Sequence, residues 1–232
     1  MVSESTTLRE ALAQEDRRID RRECELLLAH AFDRGRAWVW AHLDDTPVDA
    51  SALQRFHELV DQRVHGHPIA YLTGRREFYG RDFEVNEAVL IPRPETELLI
   101  ELALKRNAAT PLDVIDIGTG SGAIALTLAA ERPAWRVSAC DISTEALGVA
   151  KRNRSRLQLD RVELFESDLL AKAIDRSFDL IVSNPPYVAG GDPHLAQGDL
   201  RFEPAVALSC GDDGLSIIKR LIDQAWGALR TG

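Results

Sequence analysis

The chain has 232 residues, 45% of them hydrophobic and 28% charged, enough to bury a core and to form one or two globular domains. Its 37 acidic side chains against 28 basic ones give a net charge of -9, which disfavours a protein whose main task is gripping a phosphate backbone. Cys24, Cys140 and Cys210 lack metal-ligand spacing and read as reduced thiols, and no leader-like or membrane-spanning run is present, so a cytoplasmic protein is expected.

Residues 7–13, 21–32 and 50–64 carry apolar side chains at three- and four-residue spacings, as in Leu53, Phe56, Leu59 and Val60, and predict an all-helical block over 1–74. Trp38 and Trp40 are expected to pack between these helices. The basic cluster from Arg17 to Arg22 is surrounded by acids and reads as a solvated helix start. His65 and His67 are two apart with no third ligand nearby, so no metal site is expected there. The period then changes. Glu77-Phe78-Tyr79 and Asp82-Phe83-Glu84-Val85 flank Gly80-Arg81, predicting a hairpin within a connector over 75–91.

From about residue 92 helix and strand alternate. Pro94-Glu95-Thr96-Glu97 opens an amphipathic helix with acids in its first turn, favourable to the helix dipole. Strands are predicted at 112–117, 136–140, 162–166 and 178–183, with helices at 121–131, 143–157 and 169–174. This alternation implies right-handed crossovers and a parallel, doubly wound α/β sheet over 92–232.

The first strand runs into Asp116-Ile117-Gly118-Thr119-Gly120-Ser121-Gly122 and then a helix. Glycines let the backbone turn and approach a ligand closely. The spacing is G-x-G-x-G, not the G-x-G-x-x-G of dinucleotide sites. Asp116 before the loop can accept from an ammonium group or order the loop. Asp141, ending the second strand, can take both ribose hydroxyls, and Asp168, after the third, can accept from an adenine amino group beside Leu169. Each acid alone is more often a helix N-cap than a ligand. Together they line the carboxyl edge of one sheet, where open α/β folds bind ligands, and they suit S-adenosylmethionine.

The fourth strand ends in Asn184-Pro185-Pro186-Tyr187. An amide nitrogen is a poor nucleophile because its lone pair is delocalised. Acceptors facing both of its N–H groups, the Asn184 side-chain oxygen and the Pro185 carbonyl, would hold the lone pair toward a sulfonium methyl. Pro185 and Pro186 stiffen the carbonyl directions, and Tyr187 can stack on a planar amide. No metal and no covalent intermediate are required.

Three segments, Leu90-Ile91-Pro92-Arg93-Pro94-Glu95-Thr96-Glu97, Asp116 to Ala125 and Ser183 to Tyr187, resemble the bacterial release-factor glutamine methyltransferases, the PrmC/HemK group. So do Glu77-Phe78-Tyr79-Gly80, Glu203-Pro204 and Asp213-Gly214-Leu215, so the resemblance spans nearly the whole chain. It implies a Rossmann-like S-adenosylmethionine-dependent methyltransferase sheet with a small all-helical N-terminal domain. It further implies N5-methylation of the glutamine in the Gly-Gly-Gln motif of peptide chain release factors, with the helical block docking that protein. Gly118, Thr119, Gly120, Ser121, Gly122, Asp141, Asp168 and Leu169 then correspond to cofactor contacts, and Asn184 to Tyr187 to the glutamine site, with the Arg93 segment nearby.

The family continues beyond Arg230-Thr231-Gly232 with a glycine turn, a fifth strand and a hairpin. A strand order of 3-2-1-4 therefore leaves the fourth strand as an edge, and a C-terminally truncated methyltransferase domain with weakened or absent activity is expected. A cytoplasmic monomer is expected too, with release factor as partner and no stable nucleic acid or membrane. Two other readings stay open: methylation of amino groups in nucleic acid, which shares the Asn-Pro-Pro-Tyr motif, and a non-catalytic module that retains the cofactor.

Overall fold

The structure, a computed structural model, describes residues 7–45, 49–106 and 111–230. The chain divides into two units, Met1–Thr73 and Gly74–Gly232.

The first unit is helical: α1 (Leu8–Glu15), α2 (Arg21–Ala31), α3 (Arg36–Ala41), α4 (Ala50–Val64) and α5 (Ile69–Thr73). Each long helix begins where a side chain satisfies free backbone N–H groups. Thr7 and Glu10 form a reciprocal capping box, Asp20 accepts from Arg22 N–H, and Asp49 accepts from Ser51 and Ala52 N–H. Leu12, Leu27, Leu28, Leu53, Phe56 and Val60 form the buried centre. Trp38 packs as expected, stacked on His42 with ring centroids 4.3 Å apart. Trp40 does not: it is 49% exposed, with the Arg21 guanidinium 5.7 Å from its ring. The short α3 turns only one of the two tryptophans inward.

The second unit opens with the hairpin β1 (Arg75–Phe78) and β2 (Arg81–Glu84). The turn is Tyr79-Gly80, one residue before the expected position, because Phe78 pairs with Arg81. Tyr79 takes the left-handed region at φ 51°, unusual for an aromatic residue. Its N–H donates to Glu97 at 2.9 Å, and Gly80 N–H donates to Glu77 at 2.6 Å. Phe78 and Phe83 are fully buried in the main core of this unit, so the hairpin is part of the unit and not a separate connector.

Then follow α6 (Glu97–Arg106), β3 (Asp113–Ile117), α7 (Ala123–Glu131), β4 (Arg136–Asp141), α8 (Thr144–Arg156), β5 (Glu163–Glu166), β6 (Leu180–Ser183), α9 (Ala205–Leu208) and α10 (Ser216–Ala228). The helix expected over 169–174 is a single 3-10 turn, Ala171–Ala173. The four strands β3 to β6 form a parallel sheet of order β5-β4-β3-β6. Alternation along the strands builds two cores. Val114, Val137, Ala139 and Val182 pack with Ile100, Leu126 and Leu128 on one face. Ile115, Ile117 and Cys140 pack with Phe178 and Ala228 on the other. Phe178 N–H donates to Ala228 O at 2.8 Å and Arg230 N–H to Phe178 O at 2.9 Å, a parallel bridge between Phe178 and Leu229. Thr231 and Gly232 lie outside the described residues. Among the described residues no helix is long and apolar enough to cross a membrane.

Candidate active site

Strand register gathers the site. Ile117 pairs with Cys140 on one side and Ser183 on the other, and Asp141 pairs with Glu166. In a parallel sheet these chains leave the same edge together, so Gly118, Asp141, Ser167 and Asn184 emerge side by side. They surround a cavity of about 400 Å³, which Thr119, Gly120, Ser121, Asp168, Leu169, Pro185 and Pro186 also line.

The loop after β3 is tied down by its backbone. Gly118 and Thr119 N–H both donate to Cys140 O, at 2.9 and 3.0 Å, and Gly120 N–H donates to Asp141 Oδ2 at 2.8 Å. Asp141 Oδ1 accepts from Ser143 N–H at 3.0 Å. Each carboxylate oxygen has capacity for a second bond, so Asp141 can still receive a pair of neighbouring hydroxyls. Ile142, which follows it, is 58% exposed and lines the same cavity, an apolar surface for a flat ring. The sequence reading did not single it out.

Two expected contact residues lie behind the cavity wall. Gly122 starts α7 at φ 83°, where a Cβ would sit 2.9 Å from Leu126 Cδ1 and 3.3 Å from Ala150 Cβ. It lets the helix pack closely and does not line the cavity. Asp116 is fully buried beneath the loop. Its Oδ2 accepts from the Thr119 hydroxyl at 2.6 Å and from Ala125 N–H at 3.3 Å, while its Oδ1 has no hydrogen-bond partner among the described residues. Burial, only partly offset by the Thr119 bond, pushes its pKa up to about 7. Asp116 thus orders the loop through Thr119.

At the opposite end, Asp168 Oδ2 is 2.6 Å from an Arg220 guanidinium nitrogen, and both side chains line the cavity. Leu169 holds a left-handed φ of 50°, strained for a leucine, and the Cys140 thiol donates to its carbonyl at 3.3 Å. That backbone turn directs Leu169 into the cavity.

The last strand end is braced from several sides. The Ser183 hydroxyl donates to Ile117 O at 2.7 Å. Asn184 Nδ2 lies 3.5 Å from the Thr96 hydroxyl. Cys210 Sγ is 3.1 Å from the carbonyl oxygens of both Pro186 and Gly214. After Pro186 the chain runs alongside residues 208–210: Val188 N–H donates to Leu208 O at 3.0 Å, and Cys210 N–H donates to Val188 O at 3.1 Å. Gly214 makes this possible, because a Cβ there would lie 2.4 Å from Tyr187 O. Tyr187 is 64% exposed and lines an adjoining cavity of about 520 Å³ instead of the first. Asn184 lines that second cavity too, so Tyr187 borders the space beside Asn184. Arg93, Thr96, Asn184 and Pro185 line both cavities. Arg93 is held by Glu203, whose carboxylate also accepts from Ile91 N–H at 3.1 Å.

Residues 6–74 match the PrmC N-terminal domain and residues 94–206 match the methyltransferase small domain. A release factor glutamine methyltransferase from Xylella fastidiosa (strain 9a5c) is 51% identical over 93% of this chain and 78% of its own length. The chain belongs to the release factor glutamine methyltransferase family. Its Escherichia coli (strain K12) relative of the same name is 42% identical over 97% of this chain and 81% of its own. Among solved structures, the hMettl16 catalytic domain in complex with MAT2A 3'UTR hairpin 1 overlays with a TM-score of 0.53 at 20% identity. That match covers 75% of this chain and 65% of that one, a likeness of fold alone.

The enzyme is a methyltransferase whose cofactor is S-adenosylmethionine. Its residues fit that molecule: a strand-end carboxylate with free acceptor capacity, a glycine loop, and apolar Ile142 and Leu169 line one cavity, and a buried acid, Asp116, with one oxygen unpartnered among the described residues lies beneath that loop.

Proposed function

We propose that this methyltransferase transfers a methyl group to the side-chain amide nitrogen of a glutamine, the one in the Gly-Gly-Gln motif of a peptide chain release factor. The observation that carries the reading is that Asn184, Pro185 and Pro186 share one cavity with the Gly118–Ser121 loop, Asp141 and Asp168. S-adenosylmethionine, when bound, supplies a methyl on a positively charged sulfur. Asp141 would hold the ribose hydroxyls, Asp168 and Leu169 the adenine, and Gly118 to Ser121 the amino-acid portion. Asn184 Oδ1 and the Pro185 carbonyl would accept the two N–H bonds of the glutamine amide, fixing its plane and leaving its lone pair free to attack. The charge that develops on nitrogen is stabilised by the same two oxygens. The methyl-sulfur bond breaks as the methyl-nitrogen bond forms, leaving a neutral thioether, and proton loss to solvent follows, because the cationic N-methylated amide is far more acidic than the neutral amide that attacked. Asp116 and Gly122 support the loop from behind, and Tyr187 borders the entry to the acceptor side.

The helical residues 1–74 serve to dock the release factor, in line with their match to the PrmC N-terminal domain. The reaction belongs in the cytoplasm, where release factors work. Transfer of labelled methyl to purified release factor, to a variant lacking the Gly-Gly-Gln glutamine and to plasmid DNA tests the proposal. Label on the first alone is expected. Label on DNA, or on the glutamine-free variant, overturns it.

A further inference from the structure

We infer that Thr96 is a positioning residue for methyl transfer, holding the plane of the Asn184 carboxamide so that its oxygen faces the acceptor amide. The inference rests on the proposed role of Asn184 and extends it to a residue that none of the family or sequence matches assigns.

A carboxamide at a strand end can turn about its last side-chain bond, presenting either an oxygen or an NH2 group. With the oxygen inward, Asn184 accepts an N–H from the acceptor. With the NH2 inward, two NH2 groups face each other without an acceptor between them. Productive binding therefore needs the Asn184 NH2 turned outward and a partner to receive it there. Thr96 supplies that partner: its hydroxyl lies 3.5 Å from Asn184 Nδ2. The distance is at the long end for a hydrogen bond, as such bonds commonly are before substrate binds, and they shorten in the reactive complex.

Thr96 is itself well placed to serve as a fixed point. It ends the one-turn segment Pro94–Thr96 ahead of α6, and its N–H donates to Arg93 O at 3.0 Å. Arg93 in turn is anchored to the buried carboxylate of Glu203. Meanwhile the Asn184 backbone follows Ser183, whose hydroxyl is bonded to β3. The main chain of Asn184 is thus secured to the sheet, and its side chain to the segment before α6. Thr96 and Asn184 both line the two adjoining cavities, so their contact stands where acceptor and cofactor sides meet.

The test compares Thr96→Val, which keeps the shape and removes the hydroxyl, with Thr96→Ser, which keeps the hydroxyl. Both are made in the full chain and assayed with purified release factor. Thr96→Val should lower kcat by roughly tenfold, the scale of one neutral hydrogen bond on a positioned group. KM for release factor and the cofactor Kd from calorimetry should stay within about twofold. Thr96→Ser should restore kcat to within about threefold of wild type. A Thr96→Val enzyme with wild-type kcat overturns the inference, as does a loss that Thr96→Ser shares or that follows cofactor affinity. Failure of the wild-type enzyme to methylate release factor would instead overturn the proposed reaction, and this inference with it.

Discussion

Replacing Glu203 with alanine tests whether the wall of the acceptor site is held by one buried carboxylate. The Glu203 side chain is completely enclosed, while Arg93 is 33% exposed. One oxygen accepts from Ile91 N–H at 3.1 Å and the other from Arg93. Truncation leaves the Ile91 N–H buried without a partner, at a cost of about 1–3 kcal/mol. It also frees the Arg93 guanidinium, which can reach water, so that loss is discounted to ~0.5–1 kcal/mol. Together the variant should lose roughly 2–4 kcal/mol, a fall in Tm on the order of 5–12 °C for a unit of this size. Glu203→Gln keeps an oxygen for Ile91 N–H and should lose only about half as much. Calorimetric unfolding of the three proteins measures this. A Glu203→Ala protein within about 1 °C of wild type would refute the idea that this carboxylate carries the segment, since even one orphaned buried N–H costs more.

Three further outcomes follow from the site. Asn184→Ala should reduce methyl transfer by at least about 100-fold, as losing a transition-state hydrogen bond does, while calorimetry finds cofactor affinity within a few-fold. Asp141→Ala should show the reverse emphasis, weakening cofactor binding by roughly 30-fold or more through loss of charge-assisted bonds; equal affinity in the variant would remove Asp141 from the cofactor site. Asp116, raised to about 7 by burial, binds a proton in the folded protein that an unfolded Asp releases near its ordinary value. Its contribution is therefore complete at low pH and is lost as pH climbs from about 4 through 7, by up to ~4 kcal/mol, with no further change above. Asp116→Asn should lack that slope in urea unfolding measured across pH 4–8, and a wild-type-minus-variant difference independent of pH would sink the assignment.

The sheet was legible because buried parallel strands read as short apolar runs, whereas the strand order came only with the family resemblance. The cavity edge was legible for the same reason. Asp141, Asp168 and Asn184 stand immediately after such runs, and parallel register brings successive strand ends together without further information. What escaped the sequence depends on direction or on distance along the chain. Tyr187 adjoins Pro186, yet it lines the second cavity and not the first. The Tyr79-Gly80 turn fell one residue early because Tyr79 accepts a positive φ that its composition does not advertise. Glu203 meets Arg93 from 110 positions away, and Arg220 meets Asp168 from 52. No local pattern announces either pair.

The two cavities give the strand end after β6 a geometric role that the motif by itself lacks. An in-line displacement needs the attacking nitrogen and the departing sulfur on opposite sides of the methyl group. Asn184 and Pro185 line both cavities, whereas Asp141, Asp168 and the Gly118–Ser121 loop line only the first. An acceptor held by Asn184 and Pro185 would thus sit where the two cavities adjoin, with its nitrogen open to the cofactor side. Rigidity matters most at such a junction, because an error of about 1 Å in attack geometry costs on the order of 100-fold in rate. That demand accounts for the bracing found there: two prolines, the Ser183 hydroxyl on β3, Cys210 beside the Pro186 carbonyl, and Thr96 beside the Asn184 amide. The braces come from three segments, the strand end itself, the stretch holding Cys210 and the turn before α6, so loosening any one should degrade alignment while leaving the cofactor's own contacts in place.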